Sequence, residues 1–257
     1  MAGAAWQDCG MNDKGRKVLV VIPTYDERDN VGPVAAAVLR AAPFVDVLFV
    51  DDDSPDGTGE VLDAAAAADS RVKVLHHGPK AGLGRAYADG FRWGLERGYD
   101  RLFEMDADLS HDPRKIPAFV EAAESADLVI GTRYKGGIRV INWPLRRLLI
   151  SMSAGMFVRA VTGMPVSDPT GGYKCYTAET LRAIGLDGIR SNGYSFQIET
   201  TFEAWRRGYT VAEVPITFED RRSGHSKFSK AIAREAFWMV WRLAWRNRFR
   251  RRPRPRK

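Results

Sequence analysis

The sequence predicts an α/β domain built on a mostly parallel sheet with helices on both faces. Three observations lead to this prediction. Strand-like apolar runs alternate with helical patterns through the first half of the chain, five of these runs end in polar residues, and 45% of the 257 residues are hydrophobic. Regular alternation of strands and helices is typical of parallel sheets. A composition this apolar supports a sizeable core and argues against disorder.

Five apolar runs supply the strands. The first, KVLVVIPTY at 17–25, is the continuous β-branched run expected of a central parallel strand. The others are VDVLFVDDD, RVKVLHH, DRLFEMDAD and ADLVIGTRY. Helical patterns separate them: NVGPVAAAVLRAA (30–42), TGEVLDAAAAA, RAYADGFRWGLERG after the loop GPKAGLG, and a stretch near 113–124.

Beyond residue 140 the alternation stops. WPLRRLLISMSAGMFVRAVTG has the pattern of an amphipathic helix, and two shorter polar-aromatic segments, a β run at 209–221 and a long C-terminal helix follow. We therefore expect a loose N-terminal extension at 1–16, the main domain at 17–228, and an amphipathic Trp/Arg helix with a polybasic tail at 229–257.

The formal net charge of +7 is concentrated at the C-terminus. Residues 242–257, RLAWRNRFRRRPRPRK, contain nine Lys or Arg and no acidic residue, and removing those nine charges from +7 leaves −2 for the rest. The body therefore lacks the overall basic bias that indicates nucleic-acid binding.

Three further features bear on location. Cys9 and Cys175 are too few for a disulfide framework and favour a reducing compartment. The first 17 residues lack the apolar core of a secretory signal. The best apolar stretch, Leu148–Val158, is about half as long as a spanning helix and is flanked by arginines. We expect no transmembrane helix.

Two aspartates in FEMDADLSHDP (103–113) follow an apolar run and lie on either side of Ala107. Asp106 and Asp108 repel each other unless a positive charge lies between them. Taken alone, the motif fits a strand end that turns into solvent better than a divalent metal held together with substrate phosphates. However, ligands of parallel sheets bind beyond the carboxyl ends of the strands, and five successive strand ends here are polar. Their combination favours a binding site.

Other sites are excluded by their spacing. GLGRAY (82–87) follows a strand and opens a helix, but Tyr87 occupies the third glycine position of a dinucleotide-binding loop. The absence of a Walker A sequence excludes phosphoryl transfer of the P-loop type. The four histidines lack zinc-site spacing and are expected to be solvated or locally hydrogen-bonded: His76, His77, His111 and His225.

The segment VDDDSPDGTGE holds four aspartates within six residues. Part of it fits a turn and a helix cap, with Asp56 and Thr58 as the capping residues. A cap does not account for three consecutive carboxylates at the end of an apolar strand. One of those carboxylates is suited to accept hydrogen bonds from a ribose or a base.

Eight segments of the chain occur in the order found in dolichol-phosphate mannose synthases: PTYDERDNV, VDDDSPDGT, KAGLGRAY, MDADLSHDP, GTRY, NWPLRRLLIS, DPTGGYKCY and EVPITFEDRRSGHSKF. From about Val18 to Lys227 the chain resembles these inverting glycosyltransferases of family two. The resemblance implies the Rossmann-like GT-A fold of nucleotide-diphospho-sugar transferases. It also implies transfer of mannose from GDP-mannose to a polyprenyl phosphate, because GTRY, NWPLRRLLIS and FEDRRSGHSK are typical of enzymes with that acceptor.

The resemblance assigns the site residues by role. Those at the donor nucleotide-sugar are Pro23, Tyr25, Glu27, Val50, Asp52, Asp106 and Ala107, with Arg221 and Lys227 on the diphosphate. The ligands of Mg²⁺ or Mn²⁺ are Asp106 and Asp108. The contacts of the acceptor phosphate are Arg133, Arg147 and Ser151. Catalysis thus rests on Asp106, Asp108, Arg133 and Arg147. No general base is assigned, because a phosphate monoester is largely dianionic at neutral pH.

Three positions differ from the family pattern or are undefined in it. Asp26 stands where relatives usually have Asn, a change that is tolerable if the side chain only shapes the loop. Ser110 stands where many relatives have a Gln that helps to coordinate the metal, which implies a weaker or differently selective metal site. Asp168 stands where many relatives have an acid facing the site, and its role is open at this stage.

The C-terminal helix is predicted to have two faces. On a helical wheel, one carries Arg234, Trp238, Trp241, Trp245 and Phe249, flanked by Arg242 and Arg248. The other, suited to packing on the body, carries Ile232, Ala233, Ala236, Phe237, Val240, Leu243 and Ala244. A Trp/Arg face followed by a basic tail is typical of an interfacial helix on anionic lipid, and the alternative is a buried tryptophan cluster.

We favour the interface, since tryptophan and arginine mix poorly in a core. The prediction is therefore a peripheral enzyme on the cytoplasmic face of a membrane, with Leu148–Val158 lining the path of the lipid. It leaves room for a membrane-anchoring protein partner.

Two other functions stay open. The first keeps the fold and uses another sugar nucleotide, such as UDP-glucose, although glucose enzymes acting on polyprenyl phosphate often add spanning helices. A non-enzymatic nucleic-acid-binding protein acting through the arginine tail would leave the strand-end motifs unexplained, so no nucleic-acid partner is expected.

Overall fold

The computed structural model describes residues 15–78, 82–189, 191, 193–219 and 230–248. The strands are β1 Val18–Thr24, β2 Val45–Asp51, β3 Val72–His76, β4 Arg101–Glu104, β5 Leu128–Thr132, β6 Val140–Ile141, β7 Lys174–Thr177, β8 Val211–Pro215 and β9 Phe218–Glu219. The helices are α1 Arg28–Ala41, α2 Thr58–Ala68, α3 Leu83–Glu96, α4 Ile116–Ala122, α5 Leu145–Thr162, α6 Ala178–Ile184, α7 Gly193–Arg206 and α8 Lys230–Arg248. Short 3-10 turns lie at Pro113–Lys115 and Leu186–Gly188.

Seven of these strands form one sheet in the order β3-β2-β1-β4-β7-β5-β8. All neighbouring pairs are parallel except those of β7, which runs antiparallel to β4 and β5. The predicted mostly parallel sheet and its five strands are confirmed. A separate two-stranded sheet pairs β6 with β9.

Strand β1 explains why the sheet is buried on both faces. Alternate side chains of a strand point to opposite faces, and all five residues from Val18 to Ile22 are fully buried. Leu19 and Val21 join the core beneath α3 and α5–α8, whereas Val18, Val20 and Ile22 join the core beneath α1, α2 and α4. The β-branched run is apolar throughout because both of its faces are covered.

The second half of the chain differs from its prediction in several elements, of which β7, α7 and the β run at 209–221 matter most for the site. The sequence did not identify β7 or α7. The β run predicted at 209–221 is two short strands, β8 and β9, that belong to different sheets. The insertion of β7 has a consequence for the site: since β7 is antiparallel, the loop that precedes it lies at the carboxyl ends of β4 and β5.

Helix α8 packs against α5 and α7. Val240 and Leu243 are 1% exposed, as expected for the packing face. Phe237 was assigned to the same face but is 43% exposed, and its ring stacks on Phe157 of α5 at 5.2 Å. The predicted side chains of Ile232, Ala233, Arg248 and Phe249 lie outside the described residues. Within the described part of the chain, no helix combines the length and hydrophobicity needed to cross a bilayer.

Candidate active site

The candidate site lies at the carboxyl edge of the large sheet, as the strand-end motifs predicted. The turns after β1 and β2 are tied together there. The backbone N–H of Asp26 donates to Ser54 Oγ at 3.2 Å, and that of Glu27 donates to Thr58 Oγ1 at 3.1 Å. Ser54 in turn donates to Asp51 Oδ1 at 2.6 Å. These bonds hold the first two predicted donor-binding turns in one rigid unit.

The unusual Asp26 has a local explanation. Its φ is +58°, in the left-handed region that Asn and Asp adopt more readily than other non-glycine residues. An Asp and an Asn at this position therefore satisfy the same backbone requirement. The predicted helix cap is not present: α2 begins at Thr58, its N-cap residue is Gly57, and no side chain caps the helix. Asp56 instead stabilises the turn before α2, where its Oδ1 accepts from the N–H of Thr58 at 3.0 Å.

Val50 and Asp52, two predicted donor contacts, differ in which of their atoms a ligand can reach. Val50 is fully buried in the core behind Gly90, so a ligand at this edge can meet only its main chain. Asp52 lies at the end of β2 with its side chain 6% exposed. Its Oδ1 is 2.9 Å from His77 Nδ1, and its Oδ2 accepts from the N–H of Gly82 at 3.3 Å.

The Asp106-Ala107-Asp108 segment follows β4 directly and is held by three hydrogen bonds. Tyr87 Oη donates to Asp106 Oδ1 at 3.3 Å, and the N–H of Asp106 donates to His111 Nδ1 at 3.1 Å. The N–H of Ser110 donates to Asp108 Oδ1 at 3.0 Å. Burial, together with the nearby Asp106 carboxylate, raises the pKa of Tyr87 well above its usual value, so the phenol stays protonated and can donate.

The backbone of this segment is strained at the next residue. Leu109 has φ +58°, a left-handed conformation that a large side chain rarely adopts. Its side chain is 43% exposed. The chain turns sharply there, which sends Ser110 and His111 back into the interior, where both are buried.

The donor set at this edge fits a hard divalent cation. Carboxylate oxygens are the ligands that Mg²⁺ and Mn²⁺ favour, and two of them leave most of the coordination sphere to phosphate oxygens and water. Among the described residues, no group of three or more His, Cys, Asp or Glu side chains is arranged to hold a metal without such help.

Arg133 follows β5 and is held by Asp168, from the loop before β7. Asp168 accepts from Nε and Nη2 of Arg133 at 2.7 and 2.6 Å, and from its backbone N–H at 3.1 Å. Thr170 Oγ1 accepts from the same Nη2 at 2.9 Å. Burial alone would lower the pKa of Arg133, but the charge and hydrogen bonds of Asp168 raise it above the usual value. The guanidinium is therefore permanently charged and fixed in orientation.

Aromatic rings join the two predicted arginines. Trp143 lies 5.3 Å from the guanidinium of Arg133 and 4.2 Å from that of Arg147 in α5. Tyr134 Oη donates to Ser151 Oγ at 2.7 Å, which ties α5 to the segment after β5. The three residues assigned to the acceptor phosphate are thus brought to one side of the site.

A chain of ring contacts also connects the arginines with the aspartates. His111, which accepts from the N–H of Asp106, packs edge-on against Phe218 at 5.7 Å. Phe218 lies 5.7 Å from the guanidinium of Arg133 and 5.6 Å from Trp143. The main chain of Asp106 is therefore connected through side-chain contacts with Arg133 and Arg147.

Sequence reasoning missed His111, Trp143 and Phe218 as parts of the site. Trp143 and Phe218 lie within the motifs NWPLRRLLIS and EVPITFEDRRSGHSKF, so a search for aromatic partners of the motif arginines would have found them. Arg221 and Lys227, predicted at the donor diphosphate, lie outside the described residues.

Comparison with known proteins gives this arrangement a family. The profile described as Glycosyl transferase family 2 matches residues 19–185, more than half of the chain. The chain belongs to glycosyl transferase family 2. It is therefore an enzyme, a glycosyltransferase, and the interpretation as a non-enzymatic nucleic-acid-binding protein is wrong.

Two relatives of this family 2 enzyme cover most of its length. An undecaprenyl-phosphate mannosyltransferase of Micrococcus luteus is 50% identical over 89% of this chain and 95% of its own length. A polyprenol monophosphomannose synthase of Mycolicibacterium smegmatis is 48% identical over 88% of this chain and 86% of its own.

A solved structure supports the fold. Glucosyl-3-phosphoglycerate synthase of Mycobacterium tuberculosis, in complex with Mn²⁺, UDP and glucosyl-3-phosphoglycerate, superposes with a TM-score of 0.68 over 90% of this chain and 81% of that one. At 18% identity the likeness extends to the fold alone. The GT-A fold predicted from the motifs is confirmed.

Proposed function

We propose that the enzyme transfers mannose from GDP-mannose to a polyprenyl phosphate, with inversion at the anomeric carbon. The observation that carries the proposal is the continuity of the site. The Asp106-Ala107-Asp108 segment is suited to a metal diphosphate, and the main chain of Asp106 is linked through His111 and Phe218 to Arg133. Phe218 also contacts Trp143, on which Arg147 stacks, and the two arginines are suited to a phosphate acceptor. The names of the two mannosyltransferase relatives support both the sugar and the lipid class.

The donor is placed at the ends of β1, β2 and β4. Asp106 and Asp108 would hold Mg²⁺ or Mn²⁺, as the Mn²⁺ in the structural neighbour suggests. When bound, such an ion stabilises the negative charge that develops on the departing diphosphate. Arg221 and Lys227 are proposed to share that task. We assign the nucleoside to the side chains of Pro23, Tyr25, Glu27 and Asp52 and to the main chain of Val50. The sugar is assigned to the neighbourhood of Ala107.

The acceptor phosphate is placed against Arg133, Arg147 and Ser151. Nε and Nη2 of Arg133 already donate to Asp168 and Thr170. The acceptor phosphate can therefore bind only the remaining side of the fixed guanidinium, and not both of its donor pairs. Arg147, stacked on Trp143, supplies the second cation. These positive charges orient the acceptor and offset the repulsion between two phosphate groups.

The chemistry needs no protein base. A phosphate monoester with a second pKa near 6 is already largely dianionic at neutral pH. Its oxygen attacks the anomeric carbon as the bond from that carbon to GDP breaks, and attack from the opposite face inverts the configuration. The residues of this chain thereby bind, orient and balance charge.

We place the enzyme at the cytoplasmic face of a membrane, held by α5 and α8. Trp238 and Trp245 are 66% and 67% exposed, which supports an interfacial helix over a buried tryptophan cluster. Leu145, Leu149 and Met156 of α5 are exposed as well. Large apolar side chains near Arg146 and Arg147 are suited to an anionic lipid surface, where a polyprenyl chain would lie.

A transfer assay tests the proposal. Purified enzyme would receive labelled GDP-mannose or UDP-glucose, a short polyprenyl phosphate, and Mg²⁺ or Mn²⁺, with Asp108→Asn beside the wild type and Asp112→Asn as a matched control outside the carboxylate pair. We expect mannolipid from GDP-mannose only, dependent on added metal after EDTA treatment, and lost in Asp108→Asn. Transfer from UDP-glucose instead would assign the other sugar nucleotide, and no transfer from either would overturn the assigned acceptor.

A further inference from the structure

The donor edge contains a row of paired acidic and basic side chains centred on His77. Its Nδ1 lies 2.9 Å from Oδ1 of Asp52, which follows β2, and its Nε2 lies 2.7 Å from Oδ2 of Asp89, in α3. The imidazole therefore bridges two carboxylates from different elements. The side chains of His77 and Asp89 are only about one fifth exposed, and that of Asp52 is 6% exposed.

This geometry suits a ring that donates from both of its nitrogens. An imidazole donates to two acceptors only when both ring nitrogens carry protons, and an ionised carboxylate can only accept. With both nitrogens protonated, each of the two contacts is a charge-assisted hydrogen bond. A neutral ring would turn a lone pair towards one carboxylate and leave two negative side chains facing each other.

Asp89 is itself anchored from the protein surface. Arg92 pairs with its Oδ1, and Arg85 Nε lies 3.6 Å from its Oδ2. Arg92 Nη2 also pairs at 2.7 Å with Asp187, whose side chain is 93% exposed. The row therefore runs from solvent at Asp187 to the predicted nucleoside contact at Asp52.

We propose that His77 is a positioning residue for the donor nucleoside. It fixes the orientation of the Asp52 carboxylate, whose other oxygen accepts from Gly82 N–H, so that the remaining lone pairs meet the ribose or base. The inference rests on the proposed function, because it takes Asp52 as a donor contact. Since the row does not touch Asp106 or Arg133 in any contact described above, its effect falls on donor affinity and not on the transfer step.

Direct binding of GDP in the presence of Mg²⁺, measured by calorimetry, tests this role. His77→Gln keeps a polar side chain and removes the cation, and it should weaken binding by about tenfold or more, the usual worth of a charge-assisted hydrogen bond. His77→Arg, which keeps a cation with several donors, should recover most of the affinity. His76→Gln is the matched control, because the adjacent His76 pairs with Asp63 on an exposed surface.

Kinetics then separates positioning from a structural role. His77→Gln should raise the donor KM and leave kcat and the acceptor KM within about twofold, and Asp89→Asn should act in the same direction. If the wild type does not bind GDP, the proposed donor and this inference both fail. If it binds GDP and His77→Gln binds equally well, the inference alone fails. The inference would also be overturned if His77→Gln lowered kcat, raised the KM of both donor and acceptor and lowered the melting temperature, and if His77→Arg restored none of these values.

Discussion

Asp168 holds Arg133 through two parallel hydrogen bonds, from Nε at 2.7 Å and Nη2 at 2.6 Å, with the Asp168 side chain fully buried. This contact gives Asp168, whose role the sequence left open, a structural role: it fixes Arg133, the arginine that we propose to face the acceptor phosphate. The same contact shows why the pair lies where it does. Asp168 belongs to the loop before the antiparallel strand β7, and that loop returns to the carboxyl end of β5.

Asp168→Asn should impair the acceptor side of the reaction. Removing one charge of a buried pair typically lowers the free energy of unfolding by about 3–5 kcal/mol, and the released guanidinium would lose its fixed direction. We expect a raised acceptor KM, a lower kcat and an unchanged donor KM. Thr170→Val removes an uncharged partner from the same Nη2 and should cost less, about 1.5–3 kcal/mol. Equal effects of the two variants in urea unfolding would contradict the importance of the charge.

Gly171→Ala should destabilise the same loop. An added Cβ would lie 2.9 Å from the carbonyl oxygen of Gly131 in β5, and main-chain atoms there cannot move aside easily. Overpacking of this kind typically costs about 1–3 kcal/mol. Gly188→Ala is the control, because a Cβ at Gly188 meets nothing within 4 Å. Thermal unfolding of the two variants measures the difference, and equal melting temperatures would show that the loop accommodates the methyl group.

The fully buried Lys174 should make stability depend on pH in the alkaline range. Burial lowers its pKa to about 8 from 10.5, against the opposing charges of Glu104 and Asp168. Between these values the unfolded chain retains a proton that the native state has released, so stability rises with pH. The wild type should therefore gain free energy of unfolding relative to Lys174→Met from pH 8 to 10, by at most about 1.4 kcal/mol per pH unit.

Urea unfolding at several pH values measures this gain. Lys135→Met, at an exposed position, is the control for a general loss of positive charge. A constant difference between wild type and Lys174→Met across the range would mean that Lys174 keeps its proton, held by its hydrogen bond to the carbonyl of Gln197.

The elements that the sequence predicted are those whose apolar residues follow a simple pattern along the chain. β1 is apolar at every position because both faces are covered. Helix α7 was missed because its buried residues include Gln197, Glu199 and Glu203, so burial on nearly all sides hides any apolar stripe. β7 was missed because it has four residues and begins with a buried lysine.

The site divides in the same way. Asp106, Asp108 and Arg133 were predictable because they lie at strand ends within contiguous motifs. The partners of these residues depend on contacts distant in sequence. Nothing local in RVKVLHH indicates that His77 will meet Asp89 while the adjacent His76 meets Asp63 on the surface. Trp143 and Phe218 come together with Arg133 only after β6 pairs with β9.

Helix α8 offers a test of membrane binding within one helix. Trp238 and Trp245 are two-thirds exposed, whereas Leu243 is 1% exposed. The double variant Trp238→Ala, Trp245→Ala should therefore lose binding to vesicles that contain phosphatidylglycerol, by about tenfold or more for two interfacial aromatic side chains, and keep its melting temperature. Leu243→Ala should do the reverse, lowering the free energy of unfolding by about 2–5 kcal/mol, because it leaves a cavity against the core. Co-sedimentation with vesicles of neutral or anionic lipid, with wild type alongside, distinguishes the two effects. If the tryptophan variant sediments like the wild type, the exposed face of α8 does not bind the membrane, and its aromatic side chains must serve another contact.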